Sequence, residues 1–280
     1  MRITDLLLTN QQTHWEISRD NRVKLEAPFR NFTGHIDVAE LHIPYTRWDY
    51  IDEMVKEAKK YKGKKIFVSG GDSLNFDMFS VFYNKSGDDS KPSDEIKTLI
   101  KFLTIIHRVY DHIIFIESNH EARVHKILAR ICNDKTVAQE LRKQIRSLSD
   151  QFFEAGLNKV VYVPTYIFQL GDTLFTHMEA NSASAGAVSR SLVQYLSPRI
   201  QKPWNVCFQL HTHTQSKISI DRKTIVETGA IIPPLDYWRQ GKPSGKGKMS
   251  SIGYGVCDMK DGKVDVNSAN YIIKEWEDYL

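Results

Sequence analysis

Apolar residues in the first two thirds of the chain alternate between short contiguous runs and helical stripes, which predicts strands and helices in turn. His35 to Ile43 reads as a strand closed by Pro44, which has no N–H to give to a ladder. Glu40 and His42, two apart, are expected on one face of it. Thr46 is placed to cap a helix to about Lys60, with Trp48, Ile51, Met54, Val55 and Ala58 at helical spacing. Lys64 to Ser69 is then a buried strand ended by Gly70 and Gly71. A helix near Ser93 to Tyr110, a strand His112 to Glu117, and helical stretches from about Glu121 to Asn133 and Lys135 to Ala155 continue the rhythm of an α/β fold.

After Gly156 strands dominate. Lys159 to Val163, Tyr166 to Leu170 and Thr173 to His177 follow closely, with Gly171-Asp172 as a hairpin turn between the last two. A helix from about Ala185 to Leu196 leads to a strand Asn205 to Leu210. Two hairpins follow, Lys217 to Ile220 with Thr224 to Thr228, and Tyr254 to Met259 with Lys263 to Val266, before a short terminal helix from about Ile272. The first 34 residues carry only a weak pattern, a hairpin of Thr13 to Ser18 with Arg22 to Ala27. Trp238 to Ser251, with four basic residues and three glycines, reads as a mobile loop. With no repeat and no compositional break, residues 1–280 read as one domain.

Composition narrows the class without fixing it. Hydrophobic residues at 41% and charged residues at 26% are those of a globular chain, and a net charge of +4 is a mild bias toward anionic partners. Cys132, Cys207 and Cys257 are an odd number without paired spacing, which argues against a disulfide framework or a zinc knuckle and for a reducing compartment. No apolar run approaches the ~18 residues of a membrane span, and the amino-terminal stretch lacks the apolar core of a signal peptide. The expectation is a cytoplasmic protein, in a host cytoplasm if the source is viral.

Five scattered stretches change the picture: Glu40-Leu-His42, Gly71-Asp72, Asn119-His120-Glu121, the lone His177, and His211-Thr-His213. Together they hold five of the ten histidines. Carboxylate and amide oxygens with imidazole nitrogens are the donors that Mn, Fe or Zn accept, and they sit just past strand ends, where open α/β sheets place ligand sites. His211 and His213, alternate residues on one strand, are expected on one face.

The ordered set resembles the calcineurin-like metallophosphoesterase superfamily, whose pattern runs Asp-x-His, Gly-Asp, Gly-Asn-His-Glu or Asp, a lone His, then Gly-His-x-His. The match spans roughly Val38 to Thr214. The resemblance implies an α/β/β/α sandwich of two mixed sheets flanked by helices, with the downstream hairpins in the second sheet. It implies two divalent ions, manganese first with Zn, Fe or Mg as alternatives, which activate water and neutralise charge on a phosphoryl group. Asp72 would bridge them; Glu40, His42 and His213 would complete one, and Asn119, His177 and His211 the other. His120 would protonate the leaving group, oriented by Asn75 or by Asp77, and Arg123 would reach a substrate phosphate. Three departures stand out: Glu40 for the first Asp, Ser118 for the glycine before Asn119, and Leu210 for the glycine before His211.

The extended pattern of protein phosphatases is missing, since Gly-Asp is followed by Ser-Leu-Asn-Phe-Asp. Ser-Asn-His-Glu-Ala-Arg, Glu227-Thr-Gly-Ala and Gly253-Tyr-Gly-Val are similar to runs in small phosphoesterases of bacteriophages and prokaryotic viruses. Arg239, Lys242, Lys246 and Lys248, with Tyr237, Trp238 and Tyr254 nearby, suit a nucleic-acid strand. The expected activity is that of a phosphodiesterase or nuclease on nucleic acid or nucleotides. The alternatives are a small-molecule phosphomonoesterase and a metal-stabilised binding protein that hydrolyses little.

Overall fold

Strands with apolar residues on both faces need a packed layer on each side, and here two sheets meet face to face with helices outside both. The computed structural model describes residues 29, 31–79, 90–131, 137, 147–179, 187–233 and 251–274. Strands β1 (Gly34–Ala39), β2 (Lys64–Ser69), β3 (His112–Ile116) and β4 (Val160–Val163) run parallel, in that order. The other edge of β1 pairs antiparallel with β10 (Gly253–Lys260), which also carries β11 (Lys263–Val264) and β12 (Asn270–Ile273). The second sheet has the order β5 (Ile167–Leu170), β6 (Thr173–Thr176), β7 (Val206–Gln209), β9 (Lys223–Thr228), β8 (Gln215–Ile220). Its three central strands are parallel and its edges antiparallel.

Alternation of side chains sorts the core into three layers. Ile36, Val38, Ile66, Val68, Ile114 and Ile116 face Phe168, Leu170, Phe175, Phe208 and Val226 across the gap between the sheets. The opposite side chains of the first sheet, among them Phe67, Ile113 and Phe115, meet α1 (Trp48–Lys60), α2 (Pro92–Ile106) and α4 (Leu148–Glu154) through Met54, Leu99, Phe102, Leu103 and Phe152. The outer face of the second sheet, with Leu174, Cys207 and Ile225, packs on Leu192 and Leu196 of α5 (Ala187–Leu196). The remaining helix, α3 (Arg123–Ile131), follows the loop after β3. This is the α/β/β/α sandwich of two mixed sheets. Among the described residues no helix is long and apolar enough to cross a membrane.

Several expectations need correction. Thr46 does not cap α1; its hydroxyl donates to Leu41 O (2.8 Å), the helix starts after Arg47 without a side-chain cap, and Trp48 is 37% exposed. The final hairpin joins the first sheet, because β10 completes the hydrogen bonds of β1, and of the two downstream hairpins β8–β9 alone lies in the second. No helix starts at Ile272: residues 270–273 form strand β12 against β10, with Tyr271 opposite Gly255. The turn Asp221-Arg222 closes β8–β9 with both residues at positive φ, the backbone twist that two-residue hairpins favour. Most of the helical stretch expected at Lys135 to Ala155, the hairpin of residues 13–27 and most of the basic stretch 238–251 lie outside the described residues.

At the start of β1, away from the metal-type residues, His35 Nδ1 lies 2.8 Å from Asp258 Oδ1 on the neighbouring strand and Nε2 lies 3.3 Å from Asp37 Oδ1. Asp37 in turn accepts from Tyr110 Oη (2.8 Å). Burial alone would lower the His35 pKa, but the two carboxylates outweigh it and raise it to about 9. A raised histidine contributes stability that is full below its unfolded pKa near 6.5 and lost as pH climbs through about 9. Discounted for partial exposure, the clamp is expected to contribute about 1 kcal/mol, or roughly 2–4 °C of melting temperature. Melting curves of the wild type and His35→Gln should therefore differ most at pH 6 and converge by pH 10; a constant gap would show that the clamp acts through packing alone.

Candidate metal centre

Parallel strands release their following loops at one end of a sheet, and here loops from both sheets release metal-type side chains toward one point. Glu40 and His42 follow β1, Asp72 follows β2, Asn119 and His120 follow β3, His177 follows β6, and His211 and His213 follow β7. The loops stay zipped beyond the strands: His42 N donates to Asp72 O (2.7 Å), Ile43 N to Ser73 O (2.9 Å), and Leu210 N to Thr176 O (3.0 Å). β1 therefore ends at Ala39 and β7 at Gln209, earlier than their sequences imply, and His211 and His213 are loop residues with φ of 74° and 50°. The reading of both imidazoles on one strand face is corrected, and with it that of Glu40 and His42 on β1. His42 (52°) and Asp72 (45°) share the left-handed region, which costs a non-glycine residue roughly 1–3 kcal/mol and persists only where surrounding contacts impose it.

Two donor groups result, and they share one carboxylate. Glu40, His42, Asp72 and His213 present ligand atoms within 4.8 Å of one another, and so do Asp72, His177 and His211. Glu40 Oε1 lies 2.9 Å from His42 Nε2 and 2.8 Å from His213 Nε2, and these nitrogens are 3.0 Å apart. Ligands at right angles about a cation, with bonds of ~2.1 Å, would stand ~3 Å apart, so the three atoms are spaced as a coordination face. Asp72 Oδ2 is 3.1 Å from His177 Nε2 and 3.7 Å from His42 Nε2, between the two groups. Among the described residues, Asn119 Oδ1 and His211 Nδ1 are buried without a hydrogen-bond partner, as expected of donors reserved for an ion. These observations fit the two divalent ions that the resemblance implies.

Tautomers are set from behind. His42 Nδ1 meets Asn75 Oδ1 (3.1 Å) and His177 Nδ1 meets Gly70 O (3.0 Å); donation from Nδ1–H in each case leaves Nε2 free to ligate. His177 can pack so closely because Gly71, at φ 101°, has no Cβ: one would stand 2.4 Å from His177 Nδ1. At Gly70 a Cβ would meet Leu210 at 2.2 Å, so this leucine fills the space that a bare Gly70 leaves.

Glu40 and Asp72 are buried, at 0% and 1% exposure. Burial opposes ionisation of Glu40, but His213 and His42 overcome it and hold the carboxyl well below the usual range. Burial likewise opposes ionisation of Asp72, and the imidazoles of His120, His177 and His42 overcome it. His120 does not itself carry the compensating charge at neutral pH. Its pKa is pushed to about 3 by burial, against which Asp72 pulls, while His42 and Arg123 repel a proton. The positive partners of Asp72 are then His177, held at about 9 by Asp72 and Glu40 against its own burial, and His42, raised by Glu40 and Asp72 against the same penalty.

The expected helpers of His120 are rearranged. Asn75 bonds His42 rather than His120. Arg123 turns inward: its guanidinium reaches His120 Nε2 (2.7 Å), Asn75 O (2.5 Å) and Asp77 Oδ1 (3.4 Å), and Asp77 Oδ2 accepts from Tyr45 Oη (3.0 Å). Asp77 and His120 thus share Arg123 as a partner. Three residues that the sequence reading did not assign hold the loops together. Glu121 accepts from Leu74 N (3.0 Å) and Ser118 N (3.1 Å). Glu95 on α2 accepts from Asn75 N (3.0 Å) and Phe76 N (2.8 Å). Glu227 on β9 accepts from the hydroxyls of Thr214 (2.8 Å) and Ser216 (2.9 Å), beside His213. Glu121 and Glu227 were visible within quoted motifs, whereas Glu95 on a helix has no sequence signal that separates it from a surface residue.

No family model and no curated protein matches this sequence. Solved structures with similarity to the chain include a predicted phosphoesterase from Streptococcus pneumoniae (10% identity, 82% of this chain and 84% of that one, TM-score 0.35). Others are an archaeal phosphodiesterase (11% identity, 80% and 93%, TM-score 0.39) and zinc-complexed Vps29 from Entamoeba histolytica (9% identity, 82% and 88%, TM-score 0.38).

Glu40 uses its two oxygens differently: Oε1 faces the imidazoles, and Oε2 accepts from His211 N (2.7 Å). Aspartate is one methylene shorter and cannot keep both. Glu40→Asp is therefore expected to weaken Mn²⁺ binding about tenfold, measured by calorimetry on metal-stripped protein, and to reorder the preference among Mn²⁺, Zn²⁺ and Mg²⁺. Unchanged affinity and order would mean that the backbone absorbs the difference.

Proposed function

We propose that this protein is a two-metal phosphoester hydrolase, acting as a phosphodiesterase or nuclease on nucleic acid or nucleotides. The observation that carries the reading is the sharing of Asp72 by two buried donor groups. When bound there, two divalent ions would supply Lewis acidity and a nucleophile derived from water. The chain contributes the rest. Glu40, His42 and His213 would hold one ion and Asn119, His177 and His211 the other, with Asp72 shared between them.

His120, 12% exposed at its side chain, lies 3.6 Å from Asp72 Oδ2 with Nε2 occupied by Arg123. A phosphate entering the site competes for the guanidinium, since a fork of N–H donors binds an anion more strongly than a neutral imidazole. Release of Nε2 lets His120 take a proton and pass it to the leaving oxygen. Arg123 thus serves as both brace and phosphate ligand.

The polymer reading draws support from the ends of the basic stretch. Ile231 N donates to Glu40 O (2.9 Å) and Ser251 N to His213 O (2.7 Å), so the segment carrying Arg239, Lys242, Lys246 and Lys248 leaves and rejoins the fold beside two candidate ligands.

With Mn²⁺, the protein is expected to turn over bis-p-nitrophenyl phosphate and labelled DNA faster than p-nitrophenyl phosphate, and His120→Ala to cut kcat by about 10²–10⁴-fold. Turnover that survives this substitution would remove His120 from the chemistry, preference for the monoester would favour a small-molecule substrate, and no turnover at all would favour a metal-stabilised binding protein. Replacing the four loop cations by Gln should weaken DNA binding and flatten its salt dependence in fluorescence titrations; unchanged binding would dismiss the loop.

A further inference from the structure

Ser118 is fully buried at the start of the loop after β3, where the resembled pattern has glycine. A glycine can take part in such a loop only through its backbone, but Ser118 also places a hydroxyl among the site's polar groups. Its Oγ accepts from Asp72 N (2.8 Å) and His120 N (3.2 Å), and lies within hydrogen-bond reach of Asp72 Oδ1 and Glu121 Oε2. Glu121 is itself fixed by Leu74 N and Ser118 N. One side-chain atom therefore touches the loops after β2 and β3 and the shared carboxylate at once.

The two oxygens of Asp72 have separate surroundings as a result. Oδ1 faces Ser118 Oγ and, at 3.4 Å, His120 N, so its neighbours are hydrogen-bond donors. Oδ2 faces the Nε2 atoms of His177 (3.1 Å), His120 (3.6 Å) and His42 (3.7 Å), so its neighbours are imidazoles of the site. A carboxylate free to rotate would offer either oxygen, or one to each ion.

We propose that the Ser118 hydroxyl is a positioning group that holds Asp72 Oδ1 and so commits Oδ2 as the single oxygen shared by the two ions. The inference rests on the two-ion reading and concerns a residue at which this chain departs from the pattern it resembles. The hydroxyl carries one proton, and both Asp72 Oδ1 and Glu121 Oε2 are within its reach; the proposal gives that proton to Asp72 Oδ1, because Glu121 Oε2 already accepts from Ser118 N, while the N–H groups of Asp72 and His120 approach the lone pairs and fix the direction of the hydroxyl. Partners of this kind, behind a metal ligand, typically set affinity by 10–100-fold.

The test uses the full-length, metal-stripped protein. Mn²⁺ is titrated calorimetrically into the wild type, Ser118→Ala, Ser118→Gly and the control Ser189→Ala, which removes another buried hydroxyl that contacts Glu227 (3.3 Å). The electron paramagnetic resonance spectrum of each loaded protein reads the exchange coupling between the ions. The wild type is expected to bind two Mn²⁺ as a coupled pair, both Ser118 variants to bind about 10–100-fold more weakly with altered coupling, and Ser189→Ala to match the wild type. Equal affinity and coupling in the Ser118 variants would overturn the proposal, as would an equal loss in Ser189→Ala, which would reflect general softening. If Ser118→Ala fails to fold, Ser118→Gly decides alone. A wild type that binds one ion or none would instead overturn the two-ion reading.

Discussion

Two carboxylates, Glu40 and Asp72, are buried within a few ångströms of the same imidazoles, and among the described residues their ion-pair partners are histidines rather than Lys or Arg. An ionised carboxylate removed from water is costly unless positive charge or strong donors replace the lost hydration. Imidazole is a conditional answer, because it is charged only when protonated and can exchange that proton for a metal ion. The surrounding structure makes such a cluster tenable. Two stacked sheets exclude water, parallel strands end at the site, and hydrogen bonds between loops hold His42, Asp72, His211 and His213 in backbone conformations that they would not adopt alone.

The same constraint explains which parts of the molecule could be read from its sequence. Strands such as Lys64–Ser69, packed on both faces, read as short apolar runs, and helices such as α1 carry the stripe of one packed face, so pattern finds them within a residue or two. The donor set was legible because metal coordination demands specific residue types in quantity, and the structure gathers Glu40, His42, Asp72, His177, His211 and His213 into two groups that share Asp72. The N-terminus of α1 misled, because Thr46 has two satisfactory partners and sequence cannot say that it chooses Leu41 O over its own helix. The carboxyl terminus misled because β12 owes its conformation to β10, a partner distant in the chain.

What stayed hidden near the site were hydrogen bonds between loops. Asn75 lies three residues beyond Asp72, a position that suggested His120, yet the direction of its side chain follows from Glu95 and Ile43 holding its backbone N–H, and that direction leads to His42. Arg123 is similar. From the sequence it is a cation one turn into a helix, and only the fold places Asp77 and the Asn75 carbonyl where they draw the guanidinium across His120.

Two of the departures from the resembled pattern meet at one atom. Leu210 replaces a glycine and fills the space against Gly70, so the backbone before His211 has a bulky side chain to seat, and His211 itself takes φ 74°. A non-glycine residue in that conformation needs an outside hold, and its N–H receives one from Glu40 Oε2, the oxygen not directed at His42 and His213. The extra methylene of Glu40 supplies the reach that lets one carboxylate serve both. The two positions flank His211: aspartate at 40 would leave its N–H without the Glu40 Oε2 acceptor, and glycine at 210 would leave a void above Gly70.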